Sequence, residues 1–365
     1  MTELELQAVQ FMEQHTKFDR DSKTYQVRLL WKDGVQPRLP STYGVAVKRW
    51  HVMERQLKKY PPEMIKSVED SIEEHINSGA YELVPDDEAA MIRDPSYDQA
   101  FTLPWRLVWK IGHESTAIRC CFDGNQKAPG TSTTLNDKIL PGPCPLKCMT
   151  ILQLRWRMGR YSFTCDLSRM FLSVRVAPED RNYQTFVYKK IGSDDPLKLY
   201  RSKRLVFGIR SSPFEASYCL TTHAKRVARD PKSTPGMIKA ANLVQTAIYC
   251  DDILGSADTK EEAIEIINGI EAFMSSASFR AMKYKANSKD VLAHLPREKL
   301  AKQALTRLGD IYMFDDKNHI LTSPGLYKSL GQLFEAETDS YMYGGFKDLT
   351  KTLESTSTHT KRVLA

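Results

Sequence analysis

Residues 248–253 read IYCDDI. Asp251 and Asp252 stand between Ala247, Ile248 and Tyr249 on one side and Ile253 and Leu254 on the other. Like charges side by side repel, and a charge drawn into apolar surroundings is costly. A chain that only has to fold has little use for such a pair inside an apolar run. Apolar segments around a tight acidic turn fit a hairpin, strand–turn–strand, over LVQTAIYCDDILGSA. An exposed turn accounts cheaply for one Asp and less well for two.

A second stretch strengthens the signal. FTCDL puts Asp166 at the end of an apolar strand, flanked by Phe163, Cys165 and Leu167. If that strand lies beside the 245–250 strand, Asp166 and Asp251 meet at one edge of the sheet. Carboxylates held close on a rigid surface repel, and bound divalent cations relieve the repulsion. Two such ions, about 3.5–4 Å apart, clamp the attacking and leaving oxygens of an in-line phosphoryl displacement. Oxygen ligands favour Mg²⁺, with Mn²⁺ as a substitute.

The rest of the chain sets the frame. With 365 residues and 41% apolar residues it can bury a substantial core in two or three subdomains. A net charge of +7 is compatible with a polyanionic partner without being diagnostic of one. Seven cysteines, mostly in strand-like apolar surroundings, read as free thiols in a reducing compartment. Cys144 and Cys148 in CPLKC have no second Cys/His pair at finger-like spacing, which argues against zinc. MTELELQAVQFMEQ is acidic and amphipathic, not a signal peptide, and no apolar run approaches a membrane span. The expected setting is the cytoplasm, including virus-like particles, or the nucleus, with no membrane partner.

Periodicity predicts a basic amphipathic helix over YGVAVKRWHVMERQLKKY and a second helix from Pro61-Pro62 to Gly79. Two strands, WRLVWKI and STAIRCCFD, flank the turn GHE; a Pro/Gly/Ser/Thr-rich loop and a helix, LKCMTILQLRWRM, follow. From residue 160 the order is strand, helix, strand, strand, helix, hairpin, helix, an α+β layer with helices on one face of a sheet. Thr259, with Glu262 three positions on, caps the last helix. Residues 331–360 are Ser/Thr/Gly/Glu-rich and read as a loop or disordered insertion.

FTCDLSRMF, LVFGIRSSPF, IYCDDI and SFRAMKYKANS, in this order, resemble the palm motifs of a reverse transcriptase. With IRCCFDGN and TTLNDKILPGP they are most similar to the Bel/Pao class of long-terminal-repeat retrotransposons, over roughly residues 20–320. The resemblance implies a right-hand polymerase fold with fingers and palm, an antiparallel palm sheet backed by helices, and a thumb truncated or absent. It divides the chain into a lead-in at 1–58, fingers at 59–158, and a palm at 159–300 with a finger-like hairpin at about 180–206. Residues 301–365 would hold a primer-grip turn, the insertion and the start of the thumb or connection.

The resemblance also implies roles. Asp166, Asp251 and Asp252 would hold two Mg²⁺ ions, with Asp166 and Asp251 as main ligands and Asp252 the more dispensable. Leu167 would offer its backbone to the metal or phosphates. Phe171, five residues after Asp166, matches a steric gate against a 2′-hydroxyl; plain core packing is the alternative. Arg119 and Lys110 look like cations for the incoming triphosphate. Gly208, Ser212 and Pro213 resemble the segment packed against template and nascent base pair, with Phe207 where retroviral enzymes have Gln. Tyr249 and Cys250 would lie near the primer end. Lys283 resembles the lysine that protonates the pyrophosphate leaving group, and Tyr284 stands where the family usually has Trp. Leu308 and Gly309 in TRLGDIY resemble the primer grip. The basic, aromatic-studded VKRWHVMERQLKKY and QLRWRMGR are candidates for template phosphates or ordinary helix surface.

The implied partners are an RNA or DNA template with primer, dNTPs, and the protease, RNase H and integrase of a polyprotein. No DTG- or DSG-type protease motif is present, and HTKRVLA resembles the start of the segment after the palm. The expected activity is RNA-directed DNA polymerisation. The alternatives are a catalytically silent nucleic-acid-binding remnant and an RNA-copying palm polymerase, which Phe171 and Tyr249 disfavour.

Overall fold

The computed structural model describes residues 1–109 and 118–301, and beyond them short strands between 313 and 342. Helix α1 (Glu3–His15) opens with a capping box: Glu5 N donates to Thr2 Oγ1 at 3.3 Å and Thr2 N to Glu5 Oε2 at 2.7 Å. Strands β1 (Lys17–Asp19) and β2 (Thr24–Val27) precede α2 (Tyr43–Leu57), whose buried Ala46, Trp50, Glu54 and Leu57 form one helical stripe. Helix α3 (Pro62–Asn77) starts on proline and is followed by Gly79 at φ 69°. Next come β3 (Tyr81–Leu83), α4 (Asp86–Arg93), β4 (Trp105–Trp109), β5 (Ile118–Phe122) and α5 (Met149–Trp156). The following elements are β6 (Tyr161–Leu167), β7 (Arg175–Val176), β8 (Thr185–Tyr188), β9 (Lys198–Ser202), α6 (Ser212–Arg229) and α7 (Pro235–Thr246). Then β10 (Ile248–Tyr249), β11 (Asp252–Ala257), α8 (Lys260–Ser275), β12 (Ala281–Ala286) and α9 (Lys289–Leu292) complete the continuous part. No helix among the described residues is long and apolar enough to cross a membrane.

Residue contacts divide the chain into two compact units. The first comprises Met1–Leu146, Leu167–Thr246 and Asn268–Arg280; the second comprises Lys147–Asp166, Ala247–Ile267 and the chain from Ala281 on. The two units interleave along the chain. The cause is strand pairing between segments far apart in sequence.

The first unit holds sheets β1-β2-β7, β3-β9-β8 and β4-β5, antiparallel except for the β2–β7 pair. Residues 1–58 contribute to its core: Leu29, Leu30 and Trp31 are buried, and Trp50 packs on Trp105 and Tyr188 at ring centroids of 5.4 and 5.5 Å. Asp180 fastens this segment. Fully buried, it accepts from Arg28 Nε at 2.8 Å, Leu29 N at 2.9 Å and Trp31 Nε1 at 3.0 Å.

Glu215 on α6 is the contrasting case. It too is fully buried and accepts from Leu30 N at 3.2 Å, but among the described residues no cation pairs with it, and its Oε2 meets no hydrogen-bond geometry. Burial pushes its carboxyl from an ordinary 4.5 up to about 8. The folded state then binds the proton more tightly than the unfolded chain. Stability is full below the unfolded pKa and falls as pH rises towards about 8. Glu215→Gln is expected to remove this fall and to be more stable than the parent at pH 8 by roughly 3 kcal/mol. Urea unfolding of both proteins at acid and alkaline pH checks this; parallel pH profiles would refute it.

The second unit holds the four-stranded sheet β10-β11-β6-β12. Helix α5 packs on β10 and β11, and α9 on β12. Trp156 Nε1 donates to Phe163 O at 3.0 Å, and a Cβ on Gly159 would lie 2.7 Å from the Ala257 backbone, so α5 ends close on the sheet. Trp50 and Trp156, the tryptophans of the two basic stretches, are buried and serve packing, whereas Tyr60 at the end of the first is exposed.

Two expectations change. The hairpin does not begin at Leu243, because α7 runs to Thr246 and leaves β10 two residues. Gln245 and Thr246 close the helix, and Ala247, Ile248 and Tyr249 follow with no Gly or Pro between, so no breaker marks the boundary. Within 331–360, β16 (Gln332–Glu335) and β17 (Ser340–Met342) form an antiparallel sheet with β15 (Leu326–Ser329), and before them β13 (Met313–Phe314) pairs with β14 (Ile320–Leu321).

Candidate functional site

The period of two in β6 puts Phe163, Cys165 and Leu167 on its buried face and Asp166 on the half-exposed one. β6 lies between β11 and β12. Its ladder with β11 sets Asp166 directly opposite Asp252, Cys165 opposite Ile253, and Phe163 opposite Gly255. The cross-strand partner of Asp166 is thus Asp252, with Asp251 next to it on the turn. The reason is the turn: Tyr249 pairs with Asp252, so Cys250 and Asp251 form a two-residue loop and β11, not β10, is the inner strand. Cys250 takes φ 55°, the left-handed conformation that the first position of such a tight hairpin requires. Asp251 and Cys250 are exposed, and Tyr249 is half-buried.

Like charges directly opposite on a ladder are destabilising. Asp252 shows the consequence: burial and the charges of Asp166 and Asp251 push its carboxyl up to about 7, against the pull of Lys285 and Lys283. Lys283, on β12, donates to Asp166 Oδ2 at 2.5 Å. Its backbone sits at φ 56° within a strand, a conformation costing about 1–3 kcal/mol for a residue with a Cβ. Asn287 clamps β12 to β6: its Oδ1 accepts from Ser162 N at 2.9 Å, its N donates to Ser162 O at 3.0 Å, and its Nδ2 donates to Arg160 O at 2.9 Å. Sequence reasoning missed Asn287 and Lys285; the only signal was their place in the quoted KANS run.

In the first unit, three residues expected to serve the nucleotide come together. The Arg119 guanidinium lies 5.9 Å from the Phe207 ring centroid, and Phe171 and Phe207 are 4.6 Å apart. Phe207 is exposed at 42%, unusual for a ring with only packing to do. Gly208 follows at φ 110°, against Phe122 O. Asn136, also missed, holds this loop: its Nδ2 donates to Gly208 O at 3.0 Å, and its Oδ1 accepts from Arg210 N at 3.0 Å. Leu167 is buried, so only its backbone is available for contact. Pro213 is exposed in the first turn of α6. Ser212 is fully buried and donates to Val206 O at 2.9 Å, which shapes the loop. Lys110, Leu308 and Gly309 lie outside the described residues.

The donor set of the carboxylate cluster suits a hard divalent cation, and the raised Asp252 carboxyl marks surplus negative charge. Among the described residues, however, no group of three or more His, Cys, Asp or Glu side chains is arranged to hold a metal ion. The Lys283 ammonium lies on Asp166, and Lys285 acts on Asp252.

Residues 132–291, a little under half of the chain, match the family described as Reverse transcriptase (RNA-dependent DNA polymerase). That stretch contains Asp166, Asp251, Asp252 and Lys283. No curated protein matches the chain in sequence. Among solved structures the chain is similar to a foamy viral protease-reverse transcriptase dRH in complex with ds DNA, with TM-score 0.46, 15% identity, and coverage of 82% of this chain and 38% of that one. For a foamy viral protease-reverse transcriptase in complex with RNA/DNA hybrid the values are 0.45, 15%, 83% and 30%. For the native prototype foamy virus protease-reverse transcriptase they are 0.43, 16%, 71% and 27%. The chain thus spans under two fifths of the length of these structures. Likenesses this distant assign no residue a role.

Proposed function

We propose that this chain is the catalytic part of an RNA-directed DNA polymerase from a long-terminal-repeat retrotransposon of the Bel/Pao class. The observation that carries the reading is Asp166 opposite Asp252 on one ladder, with Asp251 on the adjoining turn, inside the matched stretch. In the reaction a bond forms between the primer 3′-oxygen and the α-phosphorus of a dNTP. The bond from that phosphorus to the bridging oxygen breaks, pyrophosphate leaves, and the 3′-hydroxyl proton passes to solvent.

Asp166, Asp251 and Asp252 would hold two Mg²⁺ ions, or Mn²⁺ in their place. The bound ions would supply charge stabilisation for the transferring phosphoryl group. The carboxylates fix that charge on a rigid strand and hairpin, which costs no reorganisation during the reaction. Lys283 provides a cation beside Asp166 for the departing pyrophosphate. Arg119 binds the triphosphate, Phe171 crowds a 2′-hydroxyl, and Phe207 stacks where a polar contact would otherwise be made. Tyr249, Cys250 and Pro213 face primer or template. The polyprotein partners and the cytoplasmic, particle or nuclear setting belong to the same proposal.

A second reading is favoured by one observation, the Lys283 ammonium engaged with Asp166. In it the chain is a nucleic-acid-binding remnant with surviving carboxylates. Primer extension on poly(rA)·oligo(dT) with Mg²⁺, comparing the parent with Asp251→Asn, separates the two. Extension that disappears in the variant supports the polymerase. Duplex binding without extension by either protein selects the remnant.

A further inference from the structure

Strand β7 and the segment after β9 run side by side in the first unit. Val176 N donates to Lys203 O at 2.8 Å, Leu205 N to Val174 O at 3.2 Å, and Arg175 and Arg204 form an antiparallel bridge. Two arginines are thus direct cross-strand neighbours, where like charges destabilise a ladder. A third joins them: Arg181 Nε donates to Val176 O at 3.0 Å.

The acidic groups nearby do not balance the three. Arg175 reaches Asp19 at 3.3 Å. Arg181 has Glu82 at 3.9 Å, but Glu82 is already held by Arg201 at 2.7 Å and Lys203 at 3.5 Å. Glu179 pairs with Arg28 at 3.5 Å. Arg204 has no carboxylate at ion-pair distance among the described residues, and its guanidinium makes one long hydrogen bond, to Ser173 O at 3.5 Å. Burial together with Arg175 and Arg181 pushes Arg204 down to about 10. Because a guanidinium keeps its proton, this amounts to uncompensated positive charge.

We propose that Arg175, Arg181 and Arg204 form a binding site for a phosphoryl anion. Guanidinium forks match the oxygens of a tetrahedral phosphate, and the anion would remove the repulsion that the bridge otherwise carries. The phosphoryl group comes either from the phosphodiester backbone of a nucleic-acid strand or from free phosphate or pyrophosphate. The inference does not rest on the polymerase reading, since its test measures binding alone.

Two measurements on the full chain test it, with Arg204→Gln and Arg175→Gln as variants. The first is thermal melting in inorganic phosphate or pyrophosphate against sodium chloride of equal ionic strength. The second is a fluorescence-anisotropy titration with an oligodeoxythymidylate. If the source is a free anion, the parent melts about 2–4 °C higher in phosphate and both variants lose the shift. If the source is a strand, phosphate has no effect and both variants bind the oligonucleotide at least ~5-fold more weakly. A parent with neither response, or variants that keep the parent's response, overturns the proposal. Should Arg204→Gln fail to fold, Arg175→Gln decides alone.

Discussion

Asp166→Asn is expected to cut primer extension by about 1,000-fold or more while the melting temperature stays within about 3 °C of the parent's. Asparagine keeps the shape and one oxygen but not the charge. Asp166 stands on the half-exposed face of β6, opposite to Phe163 and Cys165, so no core contact is removed. Two effects on stability then oppose each other. The hydrogen bond from Lys283 at 2.5 Å weakens, in a partly exposed pair worth about 1 kcal/mol or less. The repulsion across the ladder with Asp252 is relieved. What is lost outright is negative charge where cations would be held. Single-nucleotide incorporation with Mg²⁺, run beside a thermal melt, makes the measurement. A folded variant that keeps a tenth of the parent's rate would place the essential charge elsewhere.

Gly208→Ala is expected to destabilise the fold by about 3 kcal/mol or more. Gly208 sits at φ 110°, where a residue with a Cβ is strained. A Cβ there would lie 1.8 Å from Phe122 O and 2.7 Å from Phe122 C. Both are backbone atoms, so no side chain can swing aside. The loop cannot retreat cheaply either, since Phe122 N donates to Phe207 O at 3.0 Å and Asn136 Nδ2 to Gly208 O at 3.0 Å. Relief would have to shift the end of β5, and with it Arg119 and Phe207. Gly44 on α2 is the control: nothing lies within 4 Å of its Cβ position, and alanine there should be neutral or stabilising by up to about 1 kcal/mol. Urea unfolding of both variants distinguishes the sites. A loss below about 1 kcal/mol for Gly208→Ala would mean that the loop moves freely.

Local signals read well where one element is amphipathic and capped. α2 and α3 lie where the periodicity puts them. Thr259 caps α8 as expected, with Glu262 N donating to Thr259 Oγ1 at 3.2 Å. β4 and β5 occupy the two strands read around the GHE turn. Helix α7 escaped notice because no Gly or Pro separates its end at Thr246 from β10. Asn136 and Asn287 escaped notice for a different reason. Each works through amide bonds to backbone far away in sequence, 72 residues for Asn136 and Gly208, 125 for Asn287 and Ser162. No composition or spacing rule marks such partners.

For the candidate site, residue type was legible from the chain alone. Two carboxylates on a hairpin tip and a third closing an apolar strand have few purposes besides charge, and Lys283 follows them in the same order. Which carboxylates face each other was decided by pairing. A two-residue turn at Cys250 and Asp251 makes β11 the inner strand, and a period of two then sets Asp252, not Asp251, against Asp166. A shift of one residue would have exchanged the two aspartates and turned Ile253 outward. Short-range chemistry specifies which residues can act together; the register of strands distant in sequence, set by the burial of whole faces, chooses which of them do.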